Sequence, residues 1–245
     1  MQLLPIQYRA GDRALTGFLA DGSGGRRTAG VLVAHESPGL TAHSKERAAA
    51  LAALGYVAFA LDLFGRHDLE LDDARRLSAE VMTTPGVMYQ RAHAALEVLA
   101  AQEHVDSTRL AAIGFCLGGV TVLELARHGD PLQCVIGFHP GLKRPAGSPD
   151  GPITANVLMM MGDLDPIAPQ ADREEFARSM TAARARWELH VFGGVGHSFT
   201  NPAIDSYGLD GFRFDAEATR RSWSLALSFL ELHLQRTNDD GGGGS

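Results

Sequence analysis

Short apolar runs alternate along this chain with longer stretches whose apolar positions recur at helical spacing. Gly30–Ala34 (GVLVA) is apolar at every position, as expected for a strand buried on both faces of a parallel sheet. The same reading gives strands at Tyr56–Leu61, Leu110–Phe115, Cys134–Phe138, Val157–Met161 and Trp187–Phe192. Between them the spacing predicts helices over Ser44–Leu54, Met88–Ala101, Leu117–Arg127, about Pro169–Ala183, and Ala216–Leu234. Gly55 is placed to stop the first of these. Strand–helix alternation implies a mostly parallel sheet with helices on both faces. The beginning differs. Leu4–Tyr8 and Leu15–Leu19 flank a Gly-containing turn and read as an antiparallel hairpin at the sheet edge.

No repeat or linker divides the chain, so residues 1–235 are expected to form one α/β domain. The final GGGGS reads as an appended flexible linker, and 236–245 are set aside as a tail. Three irregular pieces, at about 62–84, 139–153 and 198–215, each follow the carboxyl end of a strand. Open α/β sheets bind ligands there, so these pieces are candidate pocket walls.

Composition narrows the function. Of 245 residues, 45% are hydrophobic and 21% charged, an ordinary globular balance. The formal net charge is -7 with scattered basic residues, which disfavours nucleic acid and anionic membrane surfaces as partners. No apolar run approaches the roughly 20 residues that cross a bilayer. The amino end lacks a signal-peptide pattern. With only Cys116 and Cys134 there is no disulfide framework, and a reducing cytoplasm is the expected location. No metal-ligand spacing is visible, and no metal or cofactor is expected.

The most informative stretch is Gly114-Phe115-Cys116-Leu117-Gly118-Gly119. A strand runs in, a helix runs out, and small residues flank Cys116 two positions either side, as in a G-x-S-x-G nucleophile elbow. The helix N-terminus favours a thiolate at Cys116, and the Leu117 N–H would serve an oxyanion. A core cysteine beside a tight turn is the plain alternative. Asp163 and Asp165 follow the next-to-last strand, and His197 follows the last one. The order nucleophile, acid, histidine is that of α/β-hydrolases. With ten histidines in the chain, His197 means little alone, and either aspartate could be a turn residue. The stretch His35-Glu36-Ser37-Pro38-Gly39-Leu40 follows the first buried strand. It offers the Ser37 N–H as second oxyanion donor and Glu36 as a desolvated carboxylate near the thiol.

Together, HESPGL, GFCLGG, GDLDP and GHSF resemble the dienelactone hydrolase family over about residues 3–235. The resemblance implies an α/β-hydrolase fold with Cys116 as nucleophile, His197 as base and Asp165, rather than Asp163, as its orienting acid. It also implies that Glu36 holds the resting thiol, that Leu117 and Ser37 are oxyanion donors, and that a homodimer is allowed. Dienelactone-cleaving members carry an arginine four residues after the histidine that grips the substrate carboxylate. Asn201 stands there, while Arg75 or Arg76 matches a second clamp arginine. Losing a guanidinium removes a bidentate carboxylate contact, which favours a neutral substrate. His139, in GFHPG, is expected in the pocket, and Phe199, Tyr207, Phe212 and Phe214 are candidates for its apolar wall. The likeness extends to a metagenomic branch with aryl-ester and phosphotriester hydrolase activity. The expected partner is thus a small-molecule ester, lactone or phosphotriester. Two rival readings are a non-catalytic ligand binder on the same fold and a redox-sensing thiol.

Overall fold

A computed structural model describes residues 2–235. Chain order gives β1 (Leu4–Ala10), β2 (Arg13–Asp21), β3 (Thr28–Ala34), α1 (Ala42–Ala53), β4 (Val57–Ala60), α2 (Leu71–Thr83), α3 (Val87–Ala100) and β5 (Val105–Phe115). There follow α4 (Leu117–Arg127), β6 (Cys134–Phe138), β7 (Asn156–Gly162), α5 (Gln170–Ala182), β8 (Arg186–Phe192) and α6 (Ala216–Leu234). The eight strands form one sheet in the order β1-β2-β4-β3-β5-β6-β7-β8. The hairpin β1–β2 is antiparallel and β2 joins β4 antiparallel, while β4, β3, β5, β6, β7 and β8 run parallel. This is the mostly parallel sheet with an antiparallel edge hairpin expected from the alternation of elements.

Side chains alternate across a strand, so a sheet covered on both faces needs apolar residues at every position. In β3, Leu32 and Ala34 enter one core with Leu96 and Leu99 of α3 and Val122 of α4. Val31 and Val33 enter the other, with Leu51 of α1 and Leu230 of α6. The run GVLVA is therefore apolar throughout because each face has its own helical layer.

After β3 the chain turns one way to β4, then crosses to β5 on the other side of β3. The loops leaving β3 and β5 consequently diverge and open a crevice at the strands' carboxyl ends. Ala34, the last residue of β3, pairs with Gly114 of β5. The loop of Glu36 and Ser37 and the turn of Cys116 thus leave the sheet side by side.

One expectation fails. The piece 62–84 is not irregular throughout, because α2 occupies Leu71–Thr83. Only Ala74, Leu77 and Val81 of α2 are buried, and charged residues fill half of the rest. A single narrow apolar stripe at i, i+3 and i+7 is a weak periodic signal. The piece 198–215 is mostly irregular but includes a short 3-10 helix at Pro202–Tyr207. The tail 236–245 lies outside the described residues.

The glycines of the elbow are dictated by close approach. A Cβ at Gly114 would be driven into the Gly118 carbonyl, and one at Gly118 into the Ala34 carbonyl. Backbone atoms cannot swing aside as a flexible side chain can. Gly118→Ala is therefore expected to destabilise the protein by about 1–3 kcal/mol, the usual range for overpacking. A lowered urea midpoint at unchanged slope would register it.

Candidate active site

Cys116 sits between the end of β5 and the start of α4 with φ 52° and ψ -113°. Positive φ in a non-glycine residue is disfavoured by Cβ sterics, so the surrounding structure must hold it. The Cys116 N–H donates to the Phe138 carbonyl at 2.9 Å, and the Cys116 carbonyl accepts from Gly119 N–H at 3.0 Å. The side chain is half-buried, unlike that of Cys134, which is sealed inside β6. Burial pushes the Cys134 thiol up to about 12.

His197 and Asp165 converge on this sulfur. His197 Nε2 lies 3.1 Å from Cys116 Sγ, and His197 Nδ1 lies 2.7 Å from Asp165 Oδ2. The other Asp165 oxygen accepts from the backbone N–H groups of Ile167 at 2.7 Å and Ala168 at 3.3 Å. Asp165 is thereby aimed, and it aims the ring. Asp163 instead accepts from Gly194 N–H at 2.5 Å, outside this chain of contacts. Burial disfavours charge on His197 and is the largest single influence on it. The negative charge and hydrogen bonds of Cys116 and Asp165 together outweigh that, and the ring is raised to about 10. The surroundings thus favour the protonated ring between sulfur and carboxylate.

Glu36 is placed differently from the expectation that it holds the resting thiol. Its Oε2 accepts from Asn201 Nδ2 at 2.5 Å and lies 3.6 Å from His43 Nδ1, while Oε1 is 3.9 Å from His139 Nε2. The sulfur's imidazole partner is His197. Burial pushes the Glu36 carboxyl up, and Asn201, His197, Ser198 and Arg47 partly offset this. Burial and the nearby Arg47 charge hold His43 down at about 4, and burial, with the neighbouring His197 and His43, depresses His139 well below the usual range. Both rings are neutral near pH 7, so neither makes an ion pair with Glu36. Glu36 Oε1, His43 Nδ1 and His139 Nδ1 have no hydrogen-bond partner among the described residues.

A cavity of about 310 Å³ opens at the sulfur, lined by Cys116, His197, Ser37 and Leu117. Each irregular piece supplies part of its wall: Ser78, Ala79 and Met82 from the first, Gly141 and Lys143 from the second, and Phe212 from the third. Ile167 and Val120 complete it. Of the expected pocket residues, Arg75, Arg76, Asn201, His139, Phe199, Tyr207 and Phe214 are not in this lining. Arg76 is exposed on α2 and paired with Asp73 at 2.8 Å. Arg75 is likewise turned to Asp72 at 3.4 Å. Asn201 is occupied with Glu36, and its Oδ1 caps the 3-10 helix by accepting from Ala203 N–H. His139 is fully buried behind His197, bonded to Thr200 Oγ1 at 2.8 Å, and Phe199 is fully buried against His139. Their role in the site is to back the imidazole rather than to face a ligand. Lys143, Ser78 and Met82 escaped sequence reading because α2 was unrecognised and Lys143 stands in a motif-free loop.

The sheet order, the strained elbow and the convergence of residues after three strands define an α/β-hydrolase. A model of the dienelactone hydrolase family matches residues 15–234, and the chain belongs to that family and is a hydrolase. The crystal structure of P91, described as a dienelactone hydrolase-like promiscuous phosphotriesterase from metagenomic libraries, is 35% identical with a TM-score of 0.84. The match covers 96% of this chain and 99% of that one. The m3DLH structure is 34% identical with a TM-score of 0.89 at the same coverage. An Escherichia coli O157:H7 protein with the provisional name carboxymethylenebutenolidase is 30% identical over 223 residues, covering 83% of this chain and 76% of the relative.

Two outcomes test this geometry. Iodoacetamide near neutral pH is expected to alkylate Cys116 and spare Cys134 in the native protein, as peptide mass mapping would show. Asp165→Asn removes two of the influences that raise His197, so its titration followed by ¹⁵N NMR is expected to move down from about 10.

Proposed function

We propose that this hydrolase cleaves small, neutral, activated esters and lactones through a covalent Cys116 intermediate, and accepts aryl phosphotriesters by the same route. The observation that carries the reading is the continuous contact from Cys116 through His197 to Asp165, at 3.1 and 2.7 Å, opening onto a mainly apolar cavity.

In this mechanism the Cys116 sulfur donates its electron pair to the carbonyl carbon, and the C=O π pair moves onto oxygen. The backbone N–H groups of Leu117 and Ser37 stabilise that oxyanion, Leu117 N–H being free because the first turn of a helix has no internal acceptors. Collapse of the tetrahedral species expels the alkoxide or phenolate, which takes the proton from His197. The thioester leaves the sulfur uncharged, so one of the influences that held the imidazole's proton is gone. Neutral His197 then accepts a proton from water, hydroxide adds to the acyl carbon, and the thiolate departs. Asp165 remains a carboxylate throughout and fixes the ring. With a phosphotriester, sulfur attacks phosphorus, an aryloxide leaves and water later cleaves the P–S bond.

The lining supports a neutral substrate, being mainly apolar although Lys143 stands in it. Arg75 and Arg76 are engaged with aspartates on α2, so neither guanidinium grips a carboxylate in the cavity. The likeness to P91 supports the phosphotriester activity.

Cys116→Ala is expected to keep its fold while losing about 10³-fold or more in kcat/KM toward p-nitrophenyl esters, the scale at which nucleophile removal acts in such triads. Intact-protein mass spectrometry should detect an acyl adduct on the wild type and none on the variant. Turnover by Cys116→Ala at the wild-type rate would remove the proposal.

A further inference from the structure

A second and larger cavity, of about 580 Å³, lies between the carboxyl ends of α4 and α5 and the loop that follows β6. Arg127, its deepest cation, is the last residue of α4, whose first residue follows Cys116. Val120 of the same helix lines the first cavity, so about 10 Å at the helical rise separates the two along α4. They share no lining residue.

The Arg127 side chain is only 4% exposed, and its Nη1 has no hydrogen-bond partner among the described residues. Leaving a buried guanidinium N–H unmade is costly. The nearest carboxylate, Glu124, stands 3.9 Å away and is otherwise engaged. One of its oxygens accepts from Ser148 Oγ at 2.6 Å, and the other lies 3.4 Å from His128 Nδ1. A cation at the carboxyl end of a helix offsets the helix dipole. That accounts for the charge at this place but not for the orphaned donor. Four arginines line the cavity, Arg127, Arg144, Arg178 and Arg184, against two carboxylates, Asp150 and Glu175. Arg144 and Arg178 are satisfied by those carboxylates at 2.6 and 2.8 Å, Arg184 is exposed to solvent, and Arg127 is left as the buried unmet donor. Proline and alanine side chains supply apolar wall between the charges.

We propose that this cavity binds a small organic anion whose carboxylate or phosphate group docks on Arg127. A guanidinium presents a planar fork of donors that matches either group. The volume falls in the range of small-molecule sites, which leaves room for an apolar body beside the anionic head. Burial, the main influence on Arg127, lowers it only to about 10, so it remains charged near pH 7.

The test is isothermal titration of the full chain at low ionic strength with phenyl phosphate, benzoate and inorganic phosphate. Saturable one-to-one binding of phenyl phosphate or benzoate is expected, and which of the two binds identifies the head group. Cys116→Ala should bind equally, which separates this site from the nucleophile's cavity and makes the result independent of the proposed reaction. Arg127→Met should weaken binding about 30-fold or more, as loss of a buried charge contact does, with p-nitrophenyl ester turnover unchanged. Should Arg127→Met fail to fold, the exposed pair Arg178→Ala/Arg184→Ala decides, with several-fold weaker binding expected. Absence of saturable binding to the wild type, or undiminished binding in the deciding variant, overturns the proposal.

Discussion

The contact between α4 and the ends of β3 and β5 governs the rest of this protein. Gly114 and Gly118 let helix and strands approach at backbone distance, and Cys116 at the corner has to adopt φ 52°. A conformation of that kind costs on the order of 1–3 kcal/mol and survives only where its surroundings enforce it. Here the enforcement comes from buried neighbours on both sides, Ala34 of β3 and Phe138 of β6. The same corner lifts the sulfur out of the sheet and puts the first N–H groups of α4 beside it. The position of the sulfur and the helix N–H groups beside it thus follow from one close approach.

Two buried acids near that corner have opposite surroundings. Asp165 receives two backbone N–H groups on one oxygen and the His197 ring on the other. Glu36 receives the Asn201 amide on one oxygen, and its other oxygen has no partner among the described residues. The first environment fixes the carboxylate by hydrogen bonds on both oxygens and aims it at the His197 ring. The second resists charge, because burial desolvates the Glu36 carboxyl and the two histidines nearest it, themselves held neutral, do not offset this. The carboxylate that orients the imidazole is therefore the one in a loop after β7, although Glu36 leaves the strand next to the nucleophile. His139 and Phe212 pack edge-on against the His197 ring, and Phe199 packs against His139.

The pocket has a different origin from the catalytic geometry. Its wall is contributed by pieces far apart in sequence, among them α2, the loop after β6 and the segment after His197. None makes a strong pattern by itself. Their substitution changes what fits the cavity without moving the sulfur, ring or carboxylate, since those are anchored on strand ends. Such separation explains how arginines expected as a clamp can sit in surface ion pairs on α2 while the rest of the site keeps its form.

Several features were already legible in the amino-acid sequence. A strand buried on both faces must be apolar at each position, so β3, β6 and β7 announce themselves. The elbow needs small residues at fixed offsets, and a loop after each strand end is where reactive residues collect. Cys116 and His197 were therefore readable from spacing and order, whereas the choice of Asp165 over Asp163 rested on the family resemblance. Helix α2 was not, because three buried residues among charged ones leave little periodicity. Nor did the sequence reveal that Asn201 takes Glu36, that His139 lies behind the ring, or that Lys143 and Met82 face the cavity. Those outcomes depend on which loops lie against each other once the sheet has formed, and contacts between distant segments leave no local pattern in the chain.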